Sequence, residues 1–338
     1  MRILIIGGGI FLGREVLDAA LLRGHSVAVF NRGRARAQWP EGVQAITGDR
    51  RGGAGLIAAN GPWDAVIDTC GYCPADVLPT AEALAACPRY LFVSSVSAYA
   101  KHDRPGLTEN DALAAADGLA ADAAVTGESY GPLKAECERV LAQRLGERLT
   151  VVRPGLIVGP GDRTGRFSYW PWRAAAGGAM LVPAAPDGAP LQIIDVRDLA
   201  DWMLELVERG IGGSLNALGP AGGAAIGWPE LIAACQRGAR EIGREPAQAV
   251  AADEALLVQQ GVAPWNELPL WLPASDPEFA GFMAVSVERA VALGLRTRPL
   301  AEIVRGVLAE PLPEPGDARL AGKLTREREA ELMALAAG

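Results

Sequence analysis

A phenol, an ammonium group and a run of serines are spaced so that they could move a proton on an oxygen atom. Tyr130 and Lys134 lie four residues apart, which places both on one face of a helix. Ser95 belongs to a serine-rich stretch about 35 residues earlier. A tyrosine near its reference pKa of roughly 10 is a weak base, but a neighbouring ammonium group favours the phenolate. The set therefore predicts proton transfer at a carbinol oxygen, with Tyr130 as the acid or base.

A glycine-rich turn follows the first apolar run of the chain. Gly7, Gly8 and Gly9 are followed by Gly13 at the start of the first predicted helix. Such a turn needs residues without Cβ, so that backbone N–H groups can approach a pyrophosphate at a helix N-terminus. Ile10 takes the middle position of the usual G-x-x-G-x-x-G pattern. A turn without a ligand is the alternative to our prediction, which is a dinucleotide phosphate loop formed by Gly7, Gly9, Ile10, Phe11, Leu12 and Gly13.

The end of the second predicted strand indicates which dinucleotide the loop would favour. An NAD-selective site usually carries Asp or Glu at this place, for the ribose 2′-hydroxyl. This chain instead has Asn31 followed by Arg32 and Arg34, and a guanidinium group can pair with a 2′-phosphate. We therefore predict NADP(H), with NAD(H) as the alternative. The simpler explanation is that Arg32, Arg34 and Arg36 are solvated loop charges.

Further cofactor contacts are expected where the third and fourth predicted strands end. Asp49 follows the third strand, where an adenine amino group could donate to its carboxylate, although it could equally be a turn residue. Cys70 ends the fourth buried strand. The predicted contacts in these two places are Asp49, Arg50, Cys70 and Gly71.

Short apolar runs alternate with segments of helical character over the first 155 residues. The runs show no period-2 alternation, which is typical of strands buried on both faces. Alternating strands and helices imply right-handed crossovers and a parallel sheet covered on both sides. The sequence therefore predicts an α/β fold with a doubly wound parallel (Rossmann) sheet. The predicted strands are Arg2–Ile6, Ser26–Phe30, Val43–Thr47, Ala65–Asp68, Tyr90–Ser94 and Leu149–Arg153, and the predicted helices include Leu12–Arg23, Ala75–Ala86 and Tyr130–Leu145.

The residue composition of the chain changes after Arg153. Residues 159–190 are rich in glycine, proline and aromatic residues and are expected to be irregular. A strand at Leu191–Ile194 and a helix at Asp195–Glu208 follow, with Asp195 as the N-cap. We expect a dinucleotide-binding domain from residues 1–160 plus about 191–219. A smaller, mainly helical C-terminal substrate lobe would contain residues 161–190 and 220–316, and residues 317–338 would form an exposed helical tail.

Composition and charge argue against several classes of protein. The chain has 338 residues, of which 50% are hydrophobic, and its formal net charge is −8. This balance does not favour nucleic acid, because phosphate neutralisation needs clustered Lys and Arg. Five scattered cysteines and two histidines indicate neither a disulfide scaffold nor a metal site, although Cys70 and Cys73 form a C-x-x-C. We expect a cytoplasmic monomer or homodimer with a small-molecule substrate, no metal and no membrane span.

The combination of motifs resembles the extended branch of the short-chain dehydrogenase/reductase superfamily, the NAD-dependent epimerase/dehydratase group. The resemblance covers most of residues 1–220. Ile10 and the Asn31-Arg32-Gly33 sequence resemble an atypical subgroup that also contains the chloroplast stem-loop-binding proteins. The shared features are the glycine loop, Gly48-Asp49, Ser95 with Tyr99, Tyr130 with Lys134, Arg153-Pro154-Gly155, Gly159-Pro160-Gly161 and Ile194–Ala200.

This resemblance implies a role for each site residue. Tyr130 would be the acid or base, Lys134 would bind the nicotinamide ribose and tune Tyr130, and Ser95 would hold the reacting oxygen. Pro154, Gly155 and Leu156 would pass beside the nicotinamide. An aromatic core of the smaller lobe would explain the remaining residues equally well, but the resemblance places them at the substrate: Ser97, Phe167, Tyr169, Trp170, Trp172, Arg173 and Gln192, with Trp265 and Trp271 as further candidates.

The implied activity is that of an NAD(P)-dependent oxidoreductase, with hydride transfer at a hydroxyl or ketone carbon of a small polar, sugar-like or cyclic substrate. A sugar-nucleotide epimerase with tightly bound NAD would use the same residues. Val96 and Ser97 occupy the places where sugar-nucleotide 4,6-dehydratases carry an acidic pair, which argues against that dehydration. From another class, a non-catalytic dinucleotide sensor or an RNA-binding protein remains an alternative.

Overall fold

The computed structural model describes residues 1–34, 38–184, 190–221 and 225–336. Its strands are β1 (Arg2–Ile6), β2 (Ser26–Asn31), β3 (Gln44–Thr47), β4 (Ala65–Asp68), β5 (Tyr90–Val93), β6 (Leu149–Pro154), β7 (Leu156–Val158), β8 (Ala179–Ala184), β9 (Ile193–Asp195), β10 (Gly213–Ala217) and β11 (Gln248–Asp253). Seven of them form a parallel sheet in the order β10-β6-β5-β4-β1-β2-β3. The order reverses at β1, and open α/β sheets bind ligands outside the carboxyl ends of the strands at such a point. The predicted doubly wound α/β fold is confirmed.

Helices cover both faces of this sheet, as the buried strands require. The helices are α1 (Phe11–Leu22), α2 (Arg50–Ala59), α3 (Pro74–Ala83), α4 (Tyr130–Leu145), α5 (Tyr169–Ala175), α6 (Val196–Arg209), α7 (Trp228–Glu241), α8 (Glu254–Gln259), α9 (Glu288–Ala292), α10 (Leu300–Leu308) and α11 (Arg326–Ala336). Ile3 and Ile5 share a core with α1 and α6, whereas Leu4 and Ile6 share a core with α3 and α4. Successive side chains of β1 thus point to opposite faces, and both faces are buried.

The segment expected to be irregular, residues 159–190, contains regular structure. It holds helix α5, which packs against α7, and strand β8, which pairs in parallel with β11. Gly159–Pro190 is rich in the residues that mark loops, and the partner strand that stabilises β8 comes more than 60 residues later. The pairing is therefore set by a contact that local sequence does not show.

A second hydrophobic core lies outside the sheet. Phe167 and Trp170 are fully buried there, together with residues of α7 and α10. The predicted exposed tail is wrong in one respect: its helix, α11, buries Leu332 and Glu329 against this core. Hydrophobic and charged residues alternate in α11 without a clear apolar stripe, so its sequence does not reveal the buried face. The division of the chain into domains stays a prediction.

Within the described ranges, no helix combines the length and the apolar character needed to cross a bilayer. In the same part of the chain, His, Cys, Asp and Glu side chains form no group of three or more that could hold a metal ion. All five cysteines are free thiols.

Candidate active site

The glycine loop between β1 and α1 forms a cradle that has no room for side chains. Gly7 and Gly8 have positive φ angles of 115° and 76°. A Cβ atom on Gly7 would lie 2.3 Å from the Thr69 hydroxyl, and one on Gly13 would lie 2.5 Å from the backbone nitrogen of Gly8. The side chain of Leu12 is buried in the core, which leaves its backbone to face a ligand. The cradle can hold a phosphate group on backbone N–H donors at the start of α1.

Asn31 is half-buried at the end of β2 and stabilises the turn that follows. Its side-chain oxygen accepts a hydrogen bond from the Gly33 backbone at 2.7 Å, and its amide donates to the Gly7 carbonyl at 3.4 Å. Arg32 and Arg34 are exposed and have no hydrogen bond or ion pair to any residue within the described ranges. Arg36 lies outside those ranges. Two guanidinium groups are therefore free to meet an anion beside the cradle.

Ser95 and Tyr130 meet at the carboxyl end of β5. Ser95 caps a short 3-10 helix (Val96–Ala98), where its hydroxyl accepts from the Ser97 backbone at 3.1 Å. Tyr130 is the first residue of α4, and the Ser95 hydroxyl lies near enough to its phenol to lower the pKa of Tyr130. The neighbouring Gly131 permits this approach, because a Cβ there would lie 2.2 Å from the Ser97 carbonyl oxygen. Sequence analysis did not single out Gly131, although it stands inside the Tyr130–Lys134 motif.

Lys134 is almost completely buried one turn further along α4. Its ammonium group donates to the Gly71 carbonyl at 2.7 Å and to the Val93 carbonyl at 2.6 Å, and lies 4.2 Å from the centre of the Phe92 ring. Burial lowers the pKa of Lys134 to about 8. The lysine thus ties α4 to the ends of β4 and β5, at the switch point of the sheet.

The expected lowering of the Tyr130 pKa by Lys134 is not found. Burial raises the pKa of Tyr130 above its ordinary value, against the smaller opposing effects of the neighbouring Ser95 hydroxyl and the Arg166 charge. Lys134 directs its ammonium group to backbone carbonyls instead. Tyr130 is therefore a neutral phenol at neutral pH, ready to give a proton rather than to take one.

A buried polar network lies behind the Ser95–Tyr130 pair. Glu138 on α4 accepts from Ser94, and it forms an ion pair with Arg153 on β6 in which Nη2 and Oε2 are 2.7 Å apart. Arg153 also donates to the Tyr99 hydroxyl at 3.1 Å, and that hydroxyl donates to Asn216 at 2.7 Å. Both charges of the ion pair are more than nine-tenths buried. The network joins α4 to three strands and holds the helix that carries Tyr130.

Two of the predicted cofactor contacts have other partners. The Arg50 guanidinium is buried and donates to Asp68 at 3.0 Å and to the Thr80 hydroxyl at 2.9 Å. It stabilises the carboxyl end of β4, and its predicted cofactor contact stays a prediction. Asp49 is the N-cap of α2 and accepts from the Arg51 backbone at 3.0 Å, in line with the turn alternative. Cys70 is half-buried, and its thiol points to the Ile6 carbonyl.

Pro154, Gly155 and Leu156 connect β6 to β7 at the same end of the sheet. Gly155 has no space for a side chain, because a Cβ would lie 2.2 Å from Leu218. Ser97 is half-buried beside Tyr130 and Ser95. The structure therefore brings these predicted residues to the edge where Ser95, Tyr130 and Lys134 lie.

Most of the predicted substrate contacts belong to the core of the second lobe. Arg173 is buried in an ion pair with Glu329, with Nε and Oε2 2.8 Å apart. Both polar atoms of the Gln192 side chain bond to the Val285 backbone, at 2.9 and 2.8 Å. These polar groups are already satisfied, which makes them structural rather than ligand-binding. The aromatic side chains are buried in the same core, and their contact with a substrate stays a prediction: Phe167, Tyr169, Trp170, Trp172 and Trp271.

The sequence analysis did not select a cluster of charged residues that reaches Tyr130 through Arg166. The charge of Arg166 acts on the Tyr130 phenol, and the pKa of Lys323 is lowered by burial and by the same Arg166 charge. Asp162 faces both cations and accepts from the Thr164 backbone and hydroxyl. The run of charged residues at 162–166 is a local signal that could have indicated Arg166. Lys323 could not be found, because more than 150 residues separate it from that loop.

Three curated proteins show sequence similarity to parts of the chain, whereas no family model matches it. A 2-alkyl-3-oxoalkanoate reductase of Stenotrophomonas maltophilia is 33% identical over 183 residues, which are 48% of this chain and 53% of that protein. A 2′-dehydrokanamycin reductase of Streptomyces kanamyceticus is 32% identical over 56% of this chain and 53% of its own. The chloroplast stem-loop binding protein of 41 kDa b of Arabidopsis thaliana is 28% identical over 61% of this chain and 55% of its own. The chain thus matches about half the length of its curated relatives.

Solved structures match over a greater share of the chain. The UDP-Glc/GlcNAc 4-epimerase of Campylobacter jejuni has a TM-score of 0.67 at 15% identity, over 91% of this chain and 98% of its own. The UDP-glucose 4-epimerase of Thermus thermophilus, in complex with NAD, has a TM-score of 0.61 at 18% identity, over 91% of this chain and 98% of its own. At these identities the likeness shows the fold. The comparisons therefore confirm the resemblance to the extended short-chain dehydrogenases/reductases, whose fold this chain has.

Proposed function

We propose that the protein is an NAD(P)-dependent oxidoreductase that reduces a ketone of a small polar substrate to an alcohol. The observation that carries this proposal is the placement of the Ser95 hydroxyl next to the Tyr130 phenol, beside buried Lys134 and the glycine cradle. The set contains a proton donor, a second hydroxyl to hold the reacting oxygen and a place for a dinucleotide. A pure binding protein has no need of the first two.

The residues present fit a nicotinamide dinucleotide. The lack of side chains at Gly7, Gly8 and Gly13 lets the loop close tightly against its own backbone and its neighbours, so that its N–H groups can hold a pyrophosphate. Lys134, and the backbone of residues 154–156, lie where the nicotinamide end would be held. When bound, this group supplies the hydride for the carbonyl carbon.

Tyr130 supplies the proton in the proposed reaction. Because burial keeps its pKa above the ordinary value, the hydroxyl is protonated at neutral pH and can donate to the oxygen as the carbonyl becomes an alkoxide. The Ser95 hydroxyl lies next to Tyr130 and can donate to the same oxygen. The neutral phenol favours the reductive direction, in which a proton is delivered.

The relatives support reduction over epimerisation. The two curated proteins above 30% identity are named as reductases of an oxoalkanoate and of a dehydrokanamycin, and both names imply a carbonyl that is reduced. The epimerases among the solved structures share the fold at 18% identity or less. We also propose NADP(H) as the preferred cofactor, on the free guanidinium groups of Arg32 and Arg34. The cytoplasmic location and the monomeric or homodimeric state stay predictions.

The test is an assay of the purified chain with NADPH and NADH against a panel of 3-oxo acids and keto sugars. We expect dihydronicotinamide to be consumed in a one-to-one ratio with the alcohol formed, and the Tyr130→Phe variant to be nearly inactive. Isomerised product without net loss of cofactor would instead show an epimerase. Retention of structured RNA without any turnover would support the binding class.

A further inference from the structure

Two neighbouring cations, one of which acts on the Tyr130 phenol, have side chains without a hydrogen-bonded partner in the described part of the chain. Arg166 and Lys323 are both half-buried, and neither side chain forms a hydrogen bond or an ion pair with any residue that the structure describes. By contrast, the buried guanidinium groups of Arg50 and Arg153 pair with Asp68 and Glu138. Partly desolvated charges normally find a partner in the protein or in a ligand.

Both cations are held in place by packing. The Arg166 guanidinium lies over the Trp265 ring, 5.8 Å from its centre, and Trp265 itself has a positive φ of 64°. The loop of Arg166 and the segment of Lys323 are pressed together, since a Cβ on Gly165 would lie 2.3 Å from the Arg319 carbonyl oxygen. Arg319 stacks on Trp172, 4.7 Å from the ring centre. The C-terminal segment and the loop of Arg166 therefore form one wall, which reaches Tyr130 through the charge of Arg166.

The charges of this wall leave one positive charge in excess. Arg166 and Lys323 face the carboxylate of Asp162, which is itself held by two hydrogen bonds from Thr164. The proximity of the two cations is also visible in the pKa of Lys323, which is lowered by burial and by the Arg166 charge. An arrangement that keeps two like charges together is relieved by an anion placed between them.

Building on the proposed function, we propose that the substrate of this site carries a carboxylate near its ketone, bound by Arg166 and Lys323 while the ketone oxygen faces Tyr130. One excess positive charge suits a carboxylate, with its single charge, better than a phosphate dianion. The guanidinium group of Arg166 can bind a carboxylate through two parallel hydrogen bonds, and Lys323 adds a point charge. The substrate class is therefore the oxo acids, rather than neutral ketones or aminated sugars.

The test is equilibrium binding of a matched pair of probes by calorimetry. A series of 3-oxo acids of increasing chain length and their methyl esters is titrated into the full chain, with and without NADP⁺. We expect the acids to bind at least about tenfold more tightly than the esters, as a charge-assisted contact implies. Arg166→Gln and Lys323→Gln should each remove most of that difference, and Arg166→Lys should restore part of it.

The exposed Arg163 of the same loop provides the control, and Arg163→Gln should leave the acid preference unchanged. Equal binding of acid and ester would overturn the proposal, as would failure of the whole acid series to bind, or a preference that survives in both variants. Absence of an acid preference in the wild-type chain, with Tyr130-dependent ketone reduction intact, would refute the carboxylate site while leaving the reductase proposal standing. Preferential binding of the acids without any reduction would support the carboxylate site and refute the reductase proposal.

Discussion

The ammonium group of Lys134 donates a hydrogen bond of 2.7 Å to the carbonyl oxygen of Gly71, across the carboxyl edge of the sheet. This contact joins the helix that begins at Tyr130 to the loop that follows β4. The ammonium group is removed from water, and its pKa falls to about 8 as a result. Lys134 therefore lies close to its titration point at physiological pH.

The buried lysine should make the free energy of unfolding depend on pH. Its pKa is about 8 in the folded chain and about 10.4 when unfolded, so the unfolded chain binds more protons between these values. The destabilisation is full below pH 8 and is relieved as the pH rises. Relative to Lys134→Met, the wild type should gain about 2 kcal/mol between pH 7 and pH 9.5. Urea unfolding at several pH values measures this difference. The exposed Lys101→Met variant provides the control, and its free energy of unfolding should differ from that of the wild type by the same amount at every pH.

Removal of the Tyr130 hydroxyl should abolish proton transfer and little else. We expect Tyr130→Phe to lower turnover by about 10²-fold or more with nearly unchanged cofactor affinity, because the hydroxyl acts on the reacting oxygen. Steady-state kinetics and cofactor titration measure the two effects separately. The Tyr72 ring is partly exposed nearby, and Tyr72→Phe should keep most of the turnover. Near-normal turnover of Tyr130→Phe would remove this residue from the mechanism.

A methyl group in the glycine cradle should prevent cofactor binding. The Cβ of Gly13→Ala would lie 2.5 Å from the backbone nitrogen of Gly8, a contact that the backbone must move to relieve. We expect a loss of about 1–3 kcal/mol in stability and a cofactor affinity at least about tenfold weaker. Gly55 on α2 faces open space, so Gly55→Ala should be neutral or stabilising by up to about 1 kcal/mol. Equal effects of the two substitutions on cofactor affinity would argue against the glycine cradle as the cofactor site.

The choice of cofactor should depend on Arg32. A charge-assisted contact contributes roughly 1.5–3 kcal/mol, or about one to two decades of affinity. NADP(H) should therefore bind at least about tenfold more tightly than NAD(H), and Arg32→Ala should remove most of the difference. Arg14, exposed on α1 and paired with Asp18, supplies the control Arg14→Ala. Direct titration that gives equal affinities, or a preference for NADH, would show that Arg32 faces solvent only.

The C-terminal helix should contribute strongly to stability through Glu329. This carboxylate is 2% exposed and is paired with Arg173, which is 6% exposed. Glu329→Gln leaves Arg173 as an uncompensated buried charge, a change that commonly destabilises by about 3–5 kcal/mol. Glu331→Gln on the same helix, at an exposed pair with Arg328, should change stability by less than about 1 kcal/mol. Chemical denaturation of both variants compares them, and similar midpoints would show α11 to be loosely attached.

Local features of the sequence predicted the sheet and the reactive edge well. The bounds of β1, β4 and α4 agree with the predicted ones, because apolar runs and helical spacing are local signals. Asp195 caps α6 and accepts from the Arg197 backbone, as its position before the helix indicates. The glycine cradle and the Tyr130–Lys134 spacing are likewise encoded within a few residues of chain.

Tertiary structure decided which of the predicted side chains are free to act. Arg50 and Arg173 have the residue type that binds anions, but Asp68 and Glu329 already neutralise them. The carboxylates that do so are 18 and 156 residues away, so sequence spacing could not show the pairs. The same holds for Arg166 and Lys323, which become neighbours only when the C-terminal segment folds against the loop of Gly165. The sequence determines which residues are charged. Whether a charge is neutralised in the fold or can bind a ligand depends on burial and pairing, which arise from contacts between distant segments.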